Sequence, residues 1–257
     1  MMRSLLPLLA AAALVIPVFS QAANVSWTGT EESSWDTSEN WSPEGIPTSA
    51  DDITVSSGGS VVIAGGSTAS AQSLTIAGSV EVGSFSGNGE VLVVGQGVTL
   101  QNGGRLTGLG TIQSDITVQA GGQFAPGSIY DVGSLAVIGN VGFQNGSIAV
   151  FSIPAPNVLN GSLSIDGNLT LNGLLSLSST AELGVYTLIN FTGDLAGTFS
   201  GVVDTVAGYD YELIYTANSV ELTVTTASPV PEPSTYAALA GFAVLGSAKI
   251  RRRRKTA

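Results

Sequence analysis

The 257-residue chain contains no cysteine and no histidine. Without cysteine it can form neither disulfide bonds nor Cys-ligated metal sites, so an exported form has to be stable through packing alone. Without histidine it lacks the residue most often used as a general base and as a metal ligand. Nucleophilic catalysis by a His-activated serine is therefore excluded, and any metal site would depend on oxygen ligands.

Positive charge is scarce, and every basic residue except Arg105 lies near one end of the chain. Eight lysines and arginines stand against 19 acidic residues, and six of the eight lie in the last nine positions. Between Asn24 and Pro229 there are 18 acidic side chains and one base, Arg105, which gives this segment a net charge of −17. Such a segment repels phosphate backbones, so nucleic-acid binding is excluded.

Low charge does not indicate disorder in this chain. Hydrophobic residues make up 44% of the sequence and charged residues 11%, whereas disordered chains combine low hydrophobicity with high charge. The 33 glycines are spread between short apolar runs. This composition predicts an all-β protein with many turns.

The N-terminus has the pattern of a secretory signal peptide. Arg3 precedes an apolar run from Leu5 to Phe19, and the small residues Ser20 and Ala22 follow at the spacing of a signal-peptidase site. We predict a signal peptide over residues 1–22 and a mature chain that begins at Ala23. The alternative is an N-terminal membrane anchor, for which the apolar run is short.

The C-terminus has three consecutive parts over residues 229–257. Val230, Pro231, Glu232 and Pro233 form a stiff turn, because each proline restricts its own φ and disfavours helix in its predecessor. Residues 236–248 are uncharged and predict a helix of about 20 Å, short of a hydrocarbon core of about 30 Å. The basic run Arg251, Arg252, Arg253 and Arg254 would stay on the cytoplasmic side during export.

This order of Pro-Glu-Pro motif, apolar helix and arginine cluster resembles the PEP-CTERM sorting signal. The resemblance implies recognition by an exosortase near Pro231–Pro233, with a signal peptidase acting at the other end. It also implies a transient inner-membrane anchor and delivery to the envelope, outer surface or extracellular matrix of a Gram-negative bacterium. The alternative is a plain C-terminal membrane anchor.

Between residues 50 and 228, apolar triplets with a small polar centre recur between Gly, Asn and Ser turns. Examples are ITV (53–55), LTI (74–76), VTL (98–100), ITV (116–118) and LAVI (135–138). Each predicts a short strand with one buried face, and stacking such strands as coils would pair every backbone. We predict a right-handed parallel β-helix, or β-solenoid, in which Ile53, Leu74, Val98, Ile116 and Leu135 mark successive coils; the alternative is a β-sandwich.

Two segments resemble parts of autotransporter-type passenger β-helices. Gly110-Thr111-Ile112, Ala125-Pro126-Gly127 and residues 135–139 match a repeat of that type, and residues 184–224 match the pattern that closes such arrays. The resemblance implies fold rather than activity. We predict a β-solenoid over 53–180, a C-terminal β capping region over 181–228 and the sorting signal over 229–257.

All three tryptophans, Trp27, Trp35 and Trp41, lie in the segment 23–52. With Gly29, Asn40, Pro47 and Asp51-Asp52 they resemble a "W-x-G…W…N-W…P…A-D-D" module that opens many secreted β-helical bacterial proteins. We predict an N-terminal cap in which the rings plug the end of the stack. The alternative is a carbohydrate-contact platform built from the three rings.

The remaining polar residues do not suggest catalysis. Asp51-Asp52, and Asp210 with Glu212 on one strand face, are the paired carboxylates that could serve Ca²⁺ or glycosidic chemistry. Arg105, in the turn-like QNGGRLTG, is interpreted as a solvated turn residue. We therefore expect a non-catalytic, cofactor-free structural or adhesive protein of the surface or exopolysaccharide matrix. The alternatives are a polysaccharide lyase or glycosidase on the same scaffold, and a polysaccharide-binding module.

Overall fold

The computed structural model describes residues 22–30, 32–83, 89–127, 133–153, 161–177 and 183–227. Within these ranges it contains 25 β-strands, numbered β1 to β25 in chain order, and one short 3-10 helix, Ser38–Asn40. The predicted signal peptide up to residue 21, including Ser20, and the whole sorting segment with its predicted helix 236–248 lie outside the described residues. Ala22 lies just before the first strand.

The strands form three sheets that the chain visits in the repeating order A, B, C. Sheet A contains β1 (Asn24–Trp27), β3 (Trp41–Ser42), β4 (Asp52–Val55), β7 (Ser73–Ile76), β10 (Val98–Leu100), β13 (Ile116–Val118), β16 (Val141–Phe143), β19 (Leu169–Leu171) and β22 (Leu195–Gly197). Sheet B contains β2 (Ser33–Ser34), β5 (Ser60–Ile63), β8 (Ser79–Val82), β11 (Arg105–Gly108), β14 (Gln123–Pro126), β17 (Ile148–Phe151), β20 (Leu174–Leu177) and β23 (Gly201–Val203). Sheet C contains β6 (Thr68–Ala71), β9 (Val91–Val94), β12 (Thr111–Gln113), β15 (Ser134–Ile138), β18 (Ser162–Asp166), β21 (Gly184–Phe191), β24 (Tyr209–Tyr215) and β25 (Ser219–Thr226).

Six complete coils, from β4 to β21 within the described ranges, stack in parallel as a β-solenoid. The predicted solenoid is confirmed, and the β-sandwich alternative is wrong because successive strands pair in parallel with the next coil rather than antiparallel with their chain neighbours. The coils continue through β22 and β23 to residue 203, beyond the boundary predicted at residue 180.

The predicted coil markers are correct for four coils and wrong for the fifth. Ile53, Leu74, Val98 and Ile116 occupy one column of sheet A, as predicted. Ile116 is followed in that column by Val141, whereas Leu135 belongs to sheet C and pairs with Leu163. The interval along the column varies from 18 residues, Val98 to Ile116, to 28 residues, Val141 to Leu169.

Alternation of side chains builds the core and the surface of each coil. In sheet A the first and third residues of each triplet point inward and are buried, as Ile53 and Val55 are. The central residue points outward, which aligns Thr54, Thr75, Thr99 and Thr117 in register over four successive coils. Apolar side chains of all three sheets therefore meet in one continuous core along the solenoid axis.

The corner that leads into sheet A is stabilised by side-chain hydrogen bonds between coils. Asn140 donates from its backbone N and its Nδ2 to Asp115 Oδ1, over 2.7 and 3.0 Å. Asn168 N donates to Asn140 Oδ1 over 2.9 Å, and Asp194 N donates to Asn168 Oδ1 over 2.8 Å. We call these four residues the Asx ladder, and each of its bonds joins one coil to the next.

Replacing Asn140 by alanine is expected to lower the free energy of unfolding by about 1 kcal/mol, because it removes two hydrogen bonds between coils at an exposed corner. Urea denaturation followed by far-UV circular dichroism measures the change. Asn190→Ala, on the exposed face of β21, is the matched control and is expected to have almost no effect. Equal losses for the two variants would contradict a role for the ladder in stability.

Candidate functional site

The three tryptophans form a buried cluster at the N-terminal end of the stack. Trp27 lies on β1 and Trp41 on the neighbouring antiparallel strand β3, and the exposed fractions of Trp27, Trp35 and Trp41 are 6%, 0% and 2%. The Trp41 ring contacts those of Trp27 and Trp35 edge-on, with centroids 4.8 Å apart in both pairs. Burial on this scale leaves no ring face open to a sugar, which argues against the carbohydrate-contact alternative.

The C-terminal end of the stack is covered by an antiparallel hairpin. Strands β24 and β25 extend sheet C beyond β21, and Phe199 inserts into the core beside Phe143. Phe199 N donates to Tyr215 Oη over 3.0 Å, which holds the hairpin against the last coil. Burial raises the pKa of the Tyr215 phenol, and the hydrogen bond from Phe199 N lowers it by a smaller amount. The phenol therefore stays protonated at neutral pH.

The paired carboxylates predicted from the sequence have structural partners or lie alone on the surface. Asp51 Oδ2 accepts from Thr48 N and Thr48 Oγ1, over 2.8 and 2.7 Å, and closes a turn. Asp52 Oδ1 accepts from Ser73 Oγ in the next coil. Asp210 and Glu212 are exposed on one face of β24, as predicted. No group of three or more acidic residues that could hold a metal ion occurs within the described ranges.

An open trough lies at the corner between sheets A and B in the first three coils. In the first and third coils this corner is a four-residue turn, closed by Gly59 N to Ser56 O (2.9 Å) and by Gly104 N to Gln101 O (2.8 Å). The third residue of each turn has a left-handed φ, 85° at Gly58 and 81° at Gly103, which favours glycine. In the second coil the corner has only two residues, 77–78. The chain is set back there, and the two longer turns leave a gap between them.

This gap is a cavity of about 390 Å³, within the range of small-ligand sites. Its lining consists of small or polar residues, which are Glu32, Ser57, Gly58, Gly59, Ser60, Ala77, Gly78, Ser79, Gly103 and Arg105. The Trp27 ring lies beneath Gly59, where an added Cβ would come within 2.9 Å of Trp27 Cδ1. The trough is therefore built directly on the tryptophan cluster.

One column of outward-facing residues forms the floor of the trough. Sheet register aligns Ser60 with Ser79 and Ser79 with Arg105. Glu32 directly precedes Ser33, the partner of Val61, and so stands next to Ser60 at the first end of the column. At a strand spacing of about 4.8 Å, Glu32 and Arg105 are separated by about 14 Å along the axis. An acid and a base thus close the two ends of a floor made of hydroxyl groups.

Arg105 is the first residue of β11 and is half-buried, so its interpretation as a solvated turn residue was wrong. Its Nη1 donates to Gln123 Oε1 over 3.1 Å in the next coil.

At the opposite end of the trough, Glu32 has a left-handed φ of 53°, a conformation that costs a residue with a side chain about 1–2 kcal/mol. Sequence reasoning missed Glu32, Ser60 and Ser79, because only the coil register brings them beside Arg105.

The described lining of the trough presents hydroxyl and charged groups but lacks the carboxylate pair that glycoside hydrolysis uses. Glycoside hydrolysis uses two carboxyl groups about 5–9.5 Å apart, whereas Glu32 is the one carboxylate in the lining. Serine hydroxyls, a carboxylate and a guanidinium group are instead typical partners for sugar hydroxyls and anionic substituents. The groups in the trough therefore favour binding of a polar or anionic ligand over hydrolysis of a glycosidic bond.

Comparison with known proteins gives two family matches and one curated relative. Residues 229–254 match the PEP-CTERM protein-sorting motif, and residues 26–150 match a domain of unknown function, DUF8693. The chain is also 33% identical over 107 residues to the adhesin BmaC autotransporter of Brucella suis biovar 1 (strain 1330). That match covers 38% of this chain and 3% of the adhesin. The predicted PEP-CTERM sorting signal is confirmed, and it implies export with an exosortase as the recognising partner.

Across the parts of the chain that the structure describes, no helix has the length and apolar character needed to cross a bilayer. The sorting residues Val230–Pro233 and Arg251–Arg254 lie outside those parts. The predicted helix 236–248 and its role as a transient anchor therefore remain predictions.

Proposed function

We propose that this protein is an exported, non-catalytic structural or adhesive component of the cell surface or exopolysaccharide matrix of a Gram-negative bacterium. The single observation that carries the proposal is the PEP-CTERM motif at 229–254, attached to a β-solenoid whose exported segment has a net charge of −17. A signal peptidase removes residues 1–22, and the exosortase then acts near Pro231–Pro233. The helix 236–248 anchors the precursor in the inner membrane until that step.

The solenoid supports a structural role because its stability comes from the stacking of successive coils of the same kind. Every coil buries an apolar interior against the next one, and the chain has no cysteine from which a disulfide could form. Similarity to part of an autotransporter adhesin supports an adhesive role at the surface. The finer features of the proposal are a right-handed coil, the tryptophan cluster as an N-terminal cap and the β24–β25 hairpin as a C-terminal cap.

Replacing Arg251–Arg254 together by glutamine is expected to abolish processing of the tail. The four positive charges hold the C-terminus in the cytoplasm, so without them the exosortase meets a substrate in the wrong topology. Intact-mass analysis and cell fractionation should then find a precursor that ends at Ala257, as in wild-type protein from cells without the exosortase. Arg105→Gln, which removes a positive charge outside the tail, should be processed normally. Wild-type protein that keeps residues through Ala257 in exosortase-containing cells would contradict the proposal and favour a plain anchor.

The alternative function is a carbohydrate-active enzyme on the same scaffold. Incubation of the purified protein with acidic and neutral polysaccharides, with and without Ca²⁺, tests it through reducing ends and unsaturated uronates. We expect neither product above the background of buffer alone. Reproducible turnover would overturn the non-catalytic assignment.

A further inference from the structure

Among the residues that the structure describes, Arg105 is a cation without a counter-ion in a strongly acidic segment. It is the one basic side chain between Asn24 and Pro229. Its guanidinium group has five N–H donors, and among the described residues its hydrogen-bond partner is the neutral amide of Gln123. No described carboxylate pairs with it, although acidic residues outnumber it eighteen to one in this segment. The remaining donors are available to a ligand in the trough.

The hydroxyl groups of the floor are available as well. Ser60 and Ser79 are half-buried, and neither side chain has a hydrogen-bond partner among the described residues. Glycines, Ala77 and Ser57 form the walls around them, so no bulky side chain of the lining covers the floor. Groups that can both donate and accept therefore line the path between Glu32 and Arg105.

We propose that the trough formed by Glu32, Ser60, Ser79 and Arg105 binds a short anionic oligosaccharide. This inference rests on the proposed function, since it names what a matrix component would hold at this site. The acid group of the sugar chain pairs with the Arg105 guanidinium, which matches a planar or tetrahedral oxyanion with two parallel N–H groups. Sugar hydroxyls bond to Ser60 and Ser79 along the floor.

Glu32 determines the orientation of the ligand. Its carboxylate accepts hydrogen bonds from sugar hydroxyls but repels a second anionic group. The anionic substituent therefore lies at the Arg105 end, about 14 Å from Glu32. A divalent cation is a poorer occupant, because Ca²⁺ takes six to eight oxygen ligands and the lining offers one carboxylate beside an arginine.

Isothermal titration of the protein purified from its own cells tests the proposal. The probes are maltotriose with one terminal glucuronate, maltotriose with one terminal sulfate and neutral maltotriose, so each anionic probe carries a single acid group at one end. At about 0.15 M salt, where long-range repulsion from the acidic segment is screened beyond about 8 Å, we expect binding of an anionic probe at least tenfold tighter than that of maltotriose. The carboxylated and sulfated probes show which acid group the site takes.

Arg105→Gln is expected to weaken binding of the anionic probe tenfold or more. Arg105→Lys should lose less affinity, because it keeps the positive charge but not the paired N–H groups. Gln113→Glu makes the same change in net charge on the outer face of sheet C and should leave binding unchanged. If Arg105→Gln fails to fold, NMR shifts of the Gly58, Gly78 and Gly103 amides in the unaltered protein locate the ligand instead.

The proposed site would be overturned if maltotriose bound as tightly as the anionic probes, or if neither anionic probe bound. It would also be overturned if the ligand shifted only NMR signals of residues outside the trough. Because the titration uses purified protein, its result does not depend on where the cell delivers the chain. Failure of the site is thereby distinguishable from failure of the sorting proposal.

Discussion

Replacing Trp41 by alanine is expected to lower the free energy of unfolding by about 3–5 kcal/mol. The Trp41 ring is 2% exposed, contacts both other tryptophan rings, and donates from Nε1 to Trp35 O over 2.8 Å. Its loss would leave a cavity between two aromatic rings and an unpaired carbonyl at the end of the stack. Urea denaturation followed by far-UV circular dichroism gives the value without relying on tryptophan fluorescence.

Trp41→Phe is the matched control, because it keeps an aromatic ring but removes the hydrogen bond to Trp35. We expect it to lose about 1–2 kcal/mol. A Trp41→Ala variant with wild-type stability and reduced retention on polysaccharide would show that the cluster is a binding platform and would contradict its structural role.

Replacing Phe143 by alanine is expected to cost a similar amount, about 3–5 kcal/mol, in the middle of the solenoid. Phe143 is 1% exposed, and its ring lies 6.2 Å from that of Phe124 and 6.0 Å from that of Phe199. The three rings join the fourth coil to the C-terminal end of the stack. Removing the central ring therefore weakens packing on both sides at once.

The equivalent sheet A position in the neighbouring coils is Val118 on one side and Leu171 on the other, so an aliphatic side chain fits this place in a coil. Phe143→Leu is accordingly expected to lose less than about 1.5 kcal/mol in the same denaturation experiment. If Phe143→Ala lost no more than Phe143→Leu, the interior at this level could not be close-packed.

The sequence predicts the strands well because their physical requirement is local. A triplet such as Ile53-Thr54-Val55 needs two apolar side chains inside and one polar side chain outside, and this alternation is visible without any knowledge of the partner strand. Parallel stacking follows, because strands this short cannot bury a face alone. The β-solenoid was therefore predictable.

The register was not predictable from the triplets alone. Strands of all three sheets have the same alternation, so Leu135 of sheet C resembles the sheet A marker Val141. The corners carry the missing information. Asp115 and Asn140 precede strands of sheet A, whereas Gly104 precedes a strand of sheet B, where an added Cβ would collide with backbone atoms of Ile76 and Gln101.

The candidate site depends on that register. The trough exists because the corner at 77–78 is two residues shorter than the corners before and after it, and this difference has no meaning until the coils are aligned. Arg105 stands out by composition as the one base of the segment, but Glu32 and Ser79, which line the same trough, are 73 and 26 positions away along the chain. Only stacking brings them into one column.

The position of β25 has a mechanical consequence. This strand lies between β21 and β24, with six register pairs on one side and seven on the other, and the sorting segment begins shortly after it ends. A pull on the C-terminus along the strand direction loads both antiparallel ladders in shear, so many hydrogen bonds must break together. Under a pull along the solenoid axis, the short strands would instead separate coil by coil. A protein held by this end would thus be attached through the described strand that has the most register pairs.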